Sequence, residues 1–297
     1  MRKQFRTKDE IMIEFIIHAQ AGKGKAANVR TQIEHKLDLM NVEYTFHQTA
    51  KAGHATFIAE QLCKSGAKTI VAVGGDGTAH EVLNGLTNFE NVTFGLIPCG
   101  TGNDFASAIG IPDDSMKALD IVLKNHSEYV DYFQCGDVRG LNIMGTGIDV
   151  DILRHYESKK HPTKFQYFKS LIHCLCHFKP YELTVLDDNG KEQHKSAFIA
   201  CACNGKQFGG GIKMCPSAIP TDGALDVIIV SALPKRKIPA ALVKLMKGKI
   251  RMLNETEYLR TKRLRLKGLY NIQVDGEIYE NHTFDVSIVS NKLKMFI

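Results

Sequence analysis

The sequence has no apolar run long enough to cross a membrane and no export signal that we can recognise. Across its 297 residues, no stretch approaches the roughly 18 consecutive apolar residues of a transmembrane helix. The most apolar early segment, 11–19, is short and contains Glu14. The charged segment 1–10 lacks the apolar core and cleavage site of a signal peptide. We therefore expect a cytoplasmic protein.

Cysteine is present, but not in a pattern that indicates disulfides or zinc. Eight cysteines in a chain of this length do not predict a disulfide framework. The segment HCLCH, 173–177, invites a zinc interpretation. At helical spacing, however, His173 and His177 share one face while Cys174 lies on another, and no second ligand pair follows at zinc spacing. A helix with incidental His and Cys is therefore favoured over a zinc site.

Two common signatures of nucleotide-binding loops are missing as well. The chain has no G-x-x-x-x-G-K-S/T motif, and hence no P-loop, and no G-x-G-x-x-G follows its first predicted strand. The composition is that of an ordinary soluble protein, 44% hydrophobic and 24% charged. Its length is sufficient for two domains that each bury a core.

The order of the predicted elements divides the chain into two parts. Strand-like and helix-like segments alternate up to about residue 109, which predicts a parallel sheet with helices on both faces. After about residue 130, short β-rich segments predict an antiparallel sandwich or barrel, interrupted by a helical stretch at roughly 151–178. We therefore place an α/β domain at 1–131 and an all-β domain at 132–297. The tail, about 290–297, can return to the first domain.

Positive charge is concentrated in one segment. Residues 235–267 contain twelve Lys or Arg and two Glu, a net +10 in a chain whose total is +6. Such a segment is either a solvated face or a surface for anionic lipid or nucleic acid. Residues 237–250 combine apolar and basic side chains as an amphipathic helix does, which favours an anionic membrane surface. No nucleic-acid-binding motif is present, and association as a homodimer stays open.

A glycine corner follows one of the apolar strands. In VAVGGDGT, 71–78, glycine permits a sharp turn and a close approach of a ligand to the backbone. The spacing of Thr78 and Glu81 predicts a capping box at the start of a helix over 79–88. The N-terminus of such a helix attracts phosphate, because its free N–H groups and its dipole are positive.

Acids accompany this corner and a second one. Asp76 would repel a phosphate unless a cation such as Mg²⁺ bridged the two. The second corner, Gly100–Gly102, is followed by Asp104, and Asp131 follows a third apolar stretch. Three acids at successive strand ends can hold a metal facing a nucleotide. The alternative is a pair of ordinary strand–turn–helix corners in which Asp serves as a cap.

These motifs resemble those of the diacylglycerol kinase catalytic family, in particular its soluble bacterial lipid kinases. The segments that carry the resemblance are GGDGT (74–78), GTGNDFA (100–106), AGKGKA (21–26), GHA (53–55), CNGKQFGGG (203–211), CPSAIPTDGALDV (215–227) and VDGE (274–277). The resemblance implies an N-terminal ATP-binding α/β domain like those of phosphofructokinases and NAD kinases. It also implies a C-terminal antiparallel β-sandwich that binds lipid, with the site in the cleft between them.

The resemblance assigns roles to individual residues. The implied nucleotide-binding residues are Lys23, Thr49, Gly75, Asp76, Gly77, Thr78, Ala79, His80, Glu81 and Thr101. The implied catalytic Mg²⁺ network is Asp76, Asp104 and Asp131, and a structural Mg²⁺ is matched by Asp222 with the carbonyl groups of Ile219 and Ala224. Asp275 and Glu277 are the candidates for the general base. Where the family usually has Asn-Pro after its first strand, this chain has His18-Ala19-Gln20, in which His18 or Gln20 can take the place of the Asn.

We therefore expect an ATP- and Mg²⁺-dependent kinase that phosphorylates a hydroxyl group of a membrane lipid, diacylglycerol first. The enzyme is expected in the cytoplasm, in peripheral contact with an anionic membrane. Two alternatives stay open. One is a phosphotransferase of the NAD kinase type, and the other is a regulator that binds nucleotide or lipid without catalysis.

Overall fold

The structure, a computed structural model, describes residues 12–19, 21–158, 164–187 and 189–297. The chain divides into two compact units. Unit 1 contains the described residues up to Gly100, together with Ile111–Glu128 and Leu293–Ile297; unit 2 contains Thr101–Gly110 and Tyr129–Lys292. From the sequence we placed the domain boundary after Asp131. In the structure, the segment of unit 1 that ends at Glu128 is followed by the segment of unit 2 that begins at Tyr129, close to that position.

The described residues form eight α-helices and thirteen strands. The helices are α1 (Lys25–Met40), α2 (His54–Lys64), α3 (Asp76–Gly85), α4 (Asp104–Ala108), α5 (Ser115–Lys124), α6 (Ile148–Glu157), α7 (Lys164–His177) and α8 (Ile238–Met246). The strands are β1 (Ile13–Ile17), β2 (Tyr44–Gln48), β3 (Thr69–Gly74), β4 (Thr93–Pro98), β5 (Ser127–Cys135), β6 (Val138–Gly140), β7 (Ile143–Gly147), β8 (Tyr181–Leu186), β9 (Glu192–Cys203), β10 (Leu225–Ser231), β11 (Thr256–Thr261), β12 (Arg263–Val274) and β13 (Glu277–Phe296).

The sheet of unit 1 is parallel, with the strand order β2-β1-β3-β4. Every residue of β3 is buried, as is typical of a parallel strand that helices cover on both faces. The covering helix α1 buries Val29, Ile33 and Leu37, which recur at the spacing of one helical face. The last residues of β13 add a strand parallel to β4, with Met295 beside Phe94.

Unit 2 is built on antiparallel pairs. β10 pairs with β9 and β11, β7 with β9 and β12, and β12 with β13. Alternate residues of β9 enter two different cores: Cys201 and Cys203 pack with residues of the helices α6, α7 and α8, whereas Ala200 and Ala202 pack with strand residues. Both faces of this part of the sheet are therefore buried, one by helices and one by strands.

The helices that cover unit 2 are short. Among the described residues, no helix combines the length and the apolar character that crossing a bilayer requires. The helix α8 begins with Pro239 near its N-terminus, where a missing N–H costs no hydrogen bond. Of its nine residues only Ala241 is fully buried, so α8 is the most lightly packed of the three covering helices.

Candidate active site

The candidate nucleotide site lies at the carboxyl ends of the parallel strands of unit 1. From β1 the chain moves to β2 on one side, and from β2 it crosses to β3 on the other side of β1. A crevice at such a switch point is where open α/β sheets bind ligands. The cleft there has a volume of about 330 Å³, and its lining includes His18, Gly22, Thr49, Thr78 and Gly100.

The first glycine corner joins β3 to α3. Gly75 is the N-cap, without a side-chain cap, and the helix begins at Asp76, so the capping box that we predicted from Thr78 and Glu81 is wrong. The chain turns into helix earlier than predicted because Gly74 lets Thr78 fold back on it: an added Cβ at Gly74 would lie 2.3 Å from the Thr78 hydroxyl oxygen. The free N–H groups of α3 therefore start directly at the corner.

Glu81 has a different partner from the one predicted. Its carboxylate oxygen Oε2 accepts a hydrogen bond from the Ala55 N–H at 2.9 Å, and its carbonyl accepts one from the Thr56 hydroxyl at 2.9 Å. Glu81 thus ties the start of α2 to α3, and its side chain lines the cleft. Ala79 and His80 are buried within α3, so their binding roles stay predictions.

The second glycine corner packs directly on the first. The Cys99 N–H donates to the Gly74 carbonyl at 2.7 Å, and an added Cβ at Gly75 would lie 3.1 Å from the Gly100 Cα. Burial raises the pKa of the Cys99 thiol, which keeps that thiol neutral beside the corner. Thr101, predicted to contact the nucleotide, is exposed and belongs to unit 2.

The loop after β1 completes the cleft. Gly22 has φ +61°, and an added Cβ would lie 2.1 Å from the Cys99 carbonyl oxygen, so only glycine fits there. His18 Nδ1 lies 3.1 Å from the Thr49 hydroxyl oxygen, which places His18 at the wall where the family's Asn was expected to act. Gln20 lies outside the described residues, as does the side chain of Lys23, whose backbone is part of a 3-10 turn.

The acids predicted to join Asp76 in a magnesium network belong to unit 2. Asp104 is buried at the start of α4, where its two oxygens accept hydrogen bonds from the Gln207 amide at 2.9 Å and the Gly210 N–H at 2.8 Å. Asp131 is also buried and accepts from the Gly223 N–H at 2.7 Å. Within the described part of the chain, no group of three or more His, Cys, Asp or Glu is arranged to hold a metal. The network stays a prediction.

The loop predicted to hold a structural Mg²⁺ contains oxygen donors of the kind that this ion prefers. The Ile219 carbonyl accepts hydrogen bonds from Thr221 and Asp222. The Asp222 carboxylate accepts one from the Ala224 N–H and pairs with the Arg260 guanidinium at 2.5 Å. A guanidinium thus already balances the charge of Asp222, and this metal site also stays a prediction.

The turn between β12 and β13 carries the two candidate bases, and they are placed differently. Asp275 has φ +52°, and its carboxylate accepts hydrogen bonds from the backbone N–H groups of Leu141, Asn142 and Ile143 at 2.7, 2.8 and 3.2 Å. Its oxygens are therefore committed to holding the 141–143 backbone. Glu277 is exposed at the first position of β13.

Sequence reasoning missed the positioning role of Asn204. Its buried amide donates to the carbonyl groups of Asp131 at 2.8 Å and Leu141 at 2.6 Å. It thereby joins the segment that carries Asp131 to the segment that Asp275 holds. The available signal was Asn204-Gly205 directly after a buried strand, where a polar residue stops the apolar run.

Comparison with known proteins identifies the family. The profile described as "Diacylglycerol kinase catalytic domain" matches residues 12–135, and that described as "YegS C-terminal NAD kinase beta sandwich-like domain" matches residues 142–297. A protein named "Diacylglycerol kinase" from Bacillus subtilis (strain 168) is 30% identical over 254 residues, covering 83% of each chain. A "Diacylglycerol kinase" from Staphylococcus epidermidis (strain ATCC 12228 / FDA PCI 1200) is 28% identical, covering 82% of this chain and 78% of the relative.

Solved structures agree on the fold. A crystal structure of a diacylglycerol kinase from Bacillus anthracis str. Sterne superposes with a TM-score of 0.79 at 23% identity, covering 98% of both chains. The two profiles match successive parts of the chain, in the order that the motifs predicted. The chain therefore belongs to the diacylglycerol kinase catalytic family, as a lipid kinase of the diacylglycerol kinase type.

Proposed function

We propose that this protein transfers the γ-phosphoryl group of ATP to a hydroxyl group of a membrane lipid, most simply converting diacylglycerol to phosphatidic acid. The observation that carries the proposal is the cleft at the switch point of the parallel sheet, where two glycine corners bring backbone N–H groups together. Membership of the family and the names of its relatives support lipid as the acceptor.

The donor half of the reaction uses unit 1. The phosphates of ATP would lie against the N-terminus of α3 and the glycine corners, because the free N–H groups and the helix dipole favour negative charge there. Within unit 1, Asp76 is the residue that would hold Mg²⁺, which would neutralise charge on the phosphates. His18 and Thr49, joined at the wall of the cleft, would orient the nucleotide.

The acceptor half needs a base. The attacking hydroxyl must lose its proton as the new P–O bond forms, and a well-placed carboxylate is sufficient in the loose transition state of phosphoryl transfer. Glu277 takes this role because it is exposed, whereas the Asp275 carboxylate already accepts three backbone hydrogen bonds. Asp275 is a positioning residue: it holds the turn from which Glu277 projects.

The outer face of α8 supports contact with an anionic membrane. Val243 and Met246 are exposed on this helix, and Met252 is exposed just beyond it, at 52%, 44% and 64%. Basic residues flank them in the sequence: Lys235, Arg236, Lys244, Lys247, Lys249 and Arg251. Apolar side chains flanked by lysine and arginine match the interface of a bilayer with negative headgroups.

A second candidate follows from the C-terminal match, whose description names NAD kinase. In that reading the acceptor is the ribose hydroxyl of NAD. The exposed apolar and basic residues around α8 favour the lipid, because NAD does not need them.

A transfer assay with labelled γ-phosphate decides between the lipid kinase and the NAD kinase candidates. The protein is incubated with ATP, Mg²⁺, dioctanoylglycerol and NAD, beside Asp76→Ala and the control Asp120→Ala, an exposed aspartate on α5. We expect label in phosphatidic acid with the wild type and the control, and at least about a hundredfold less with Asp76→Ala. Label in NADP would instead select the second candidate. A wild-type protein that labels neither acceptor contradicts the proposal.

A further inference from the structure

The turn that carries Glu277 is held by a buried amide group that the proposed chemistry does not use. This amide belongs to Gln273 on β12, a residue that is 4% exposed. Its carbonyl oxygen Oε1 accepts a hydrogen bond from the Gly276 N–H at 3.1 Å, and its Nε2 donates to the Ile143 carbonyl at 3.4 Å. Because Gly276 directly precedes Glu277, the orientation of the Gln273 amide contributes to the position of the proposed base.

The same amide lies beside the carboxyl group of Asp149. Gln273 pairs with Gly145 of β7 in the antiparallel register, and Gly145 has no side chain to fill the space above it. An added Cβ at Gly145 would lie 2.0 Å from Asp149 Oδ2 and 3.4 Å from Gln273 Nε2. Asp149 reaches this space from the first turn of α6 and is 2% exposed. The carboxyl group and the amide therefore meet over Gly145.

Opposing effects act on the charge of Asp149. The Gln273 amide and the backbone N–H groups of Asp149 and Val150 favour its ionised form, although none of these contacts has ideal hydrogen-bond geometry. Burial beside an apolar cavity of about 70 Å³, between the sheet and the helices α6, α7 and α8, outweighs them and raises the pKa of Asp149 to about 7. Both forms are therefore populated at neutral pH. The titratable groups that act on Asp149 from neighbouring elements are Asp151 on α6, Tyr167 on α7, Tyr181 on β8 and Cys201 on β9.

The proton on Asp149 decides which way the Gln273 amide faces. An ionised carboxylate only accepts hydrogen bonds, so it pairs with the N–H groups of Nε2 and leaves Oε1 for the Gly276 N–H. A protonated carboxyl group donates, and its partner in the amide is Oε1. An amide that reverses to accept this proton turns its NH₂ group toward the Gly276 N–H, and two donors form no hydrogen bond with each other.

We propose that Gln273 is a positioning residue that transmits the ionisation of Asp149 to the turn that carries Glu277. With Asp149 ionised, the amide holds Gly276 and the turn is fixed. With Asp149 protonated, the amide reverses, the Gly276 N–H loses its acceptor, and Glu277 is held less well for proton transfer. The inference rests on the proposed function and describes a regulation of its catalytic site: the kinase is more active on the alkaline side of this titration.

The pH dependence of kcat tests this connection. Phosphoryl transfer to dioctanoylglycerol is measured at saturating ATP and lipid in the wild type and in Asp149→Asn, whose side-chain carbonyl still accepts from Gln273 and does not titrate. We expect kcat of the wild type to rise about fivefold with a midpoint near pH 7, the effect of one hydrogen bond that positions a catalytic group. Asp149→Asn should lack this rise. Glu277 is present in both proteins, so the difference between the profiles isolates Asp149, and identical profiles overturn the inference.

The role of Gln273 has a matched control. Gln273→Met keeps the length of the side chain and removes its donor and its acceptor, and Gln193→Met makes the same change at an exposed position of β9. We expect Gln273→Met to lower kcat about fivefold at pH 8, to leave KM for ATP unchanged, and to abolish the rise near pH 7. Gln193→Met should behave as the wild type. A rise that persists in Gln273→Met, shown to be folded by circular dichroism, overturns Gln273 as the connection.

A measurement without substrates separates the inference from the proposed function. The chain has 25 glycines, so labelling glycine with ¹⁵N gives a simple NMR spectrum, in which the Gly276 signal is the one missing from Gly276→Ala. We expect the Gly276 N–H shift to titrate near pH 7 in the wild type and not in Asp149→Asn.

The two kinds of failure are then distinguishable. If the Gly276 signal titrates as expected and no phosphate reaches lipid, the proposed reaction is wrong and the connection from Asp149 to the turn stands. If the protein phosphorylates diacylglycerol and the Gly276 signal does not respond to the ionisation of Asp149, the kinase stands and the connection is overturned.

Discussion

The cleft of unit 1 and the cavity of unit 2 are built on opposite principles. The cleft is formed by backbone, at corners where glycine lets strands and loops approach within contact distance, as at Gly22, Gly75 and Gly100. The cavity is formed by side chains of three helices, two strands and the segments that connect such elements, and its lining includes Asp149 among apolar residues. A backbone site tolerates almost no added atom, whereas a side-chain site changes its volume with each substitution. Motifs therefore reveal the first kind of site, and only packing reveals the second.

The sharpest test of this contrast asks whether unit 2 supplies chemistry as well as apolar surface. Glu277→Gln should lower kcat by roughly 10²–10⁴, because the amide cannot take the proton of the attacking hydroxyl. KM for ATP should change little. Glu280→Gln is the control: Glu280 lies on the same strand and pairs with Arg154 on the surface. A kcat for Glu277→Gln within a factor of two of the control would remove the base assignment.

The buried carboxyl group of Asp149, in the wall of the cavity, should make the free energy of unfolding depend on pH. The raised pKa of Asp149, about 7 against a usual 3.8, means that the folded state holds its proton more tightly than the unfolded chain. Its contribution to stability is therefore highest below about pH 4 and declines as pH rises to about 7. The full decline is at most roughly 4 kcal/mol.

Urea unfolding of the wild type and Asp149→Asn from pH 4 to pH 8 measures this contribution. Asp149→Asn should lose the decline between about pH 4 and pH 7. The charged and titratable groups that act on Asp149, Asp151 and Tyr167, remain in both proteins. Parallel pH profiles for the two proteins would contradict the assignment.

The backbone character of the cleft is tested by a pair of glycines. Gly22 and Gly24 both have positive φ, 61° and 89°, but only Gly22 is packed, against the Cys99 carbonyl; nothing lies within 4 Å of an added Cβ at Gly24. Both alanine variants carry the strain of a left-handed residue. We expect Gly22→Ala to be less stable than Gly24→Ala by about 1–3 kcal/mol, through overpacking, and to bind ATP more weakly. Thermal unfolding measures the stability of the two variants, and titration measures their affinity for ATP. If the two variants have equal stability and equal affinity, the backbone at Cys99 moves to accommodate the added methyl group at little cost.

The smallest effect concerns the outer face of α8. Lys247→Ala should weaken binding to vesicles with about 30% phosphatidylserine by about 1 kcal/mol, roughly fivefold, with a loss that shrinks as salt increases. Lys124→Ala at the end of α5 removes the same charge from unit 1 and should leave vesicle binding unchanged. If both variants lose affinity equally, net charge explains the attraction and α8 does not.

Several parts of the fold and the site could be predicted from sequence because they depend on neighbours in the chain. The alternation of strands and helices up to about residue 109 predicted the parallel sheet, since each strand there is a short apolar run bounded by turn residues. The two glycine corners were placed correctly for the same reason: a strand that ends in Gly-Gly leaves few conformations for the next residues.

Other predictions failed or stopped short because a distant partner decides the outcome. Thr78 and Glu81 have the spacing of a capping box, yet Glu81 accepts from Ala55, which lies on another helix. Asp275 and Glu277 are equivalent in the sequence, and three N–H groups from the distant 141–143 segment set them apart. A hydrogen bond across such a separation leaves no trace in local spacing.

The order of residues alone fixed the family, the glycine corners and the acids that accompany them, because these follow from short motifs whose backbone conformation is local. Tertiary packing decided the rest. It leaves Glu277 exposed, commits the Asp275 carboxylate to three backbone N–H groups, and closes an apolar cavity beside Asp149. The physical reason is that the cost of burying a charge or of leaving space empty depends on everything that surrounds it, and the surroundings exist only once the chain has folded.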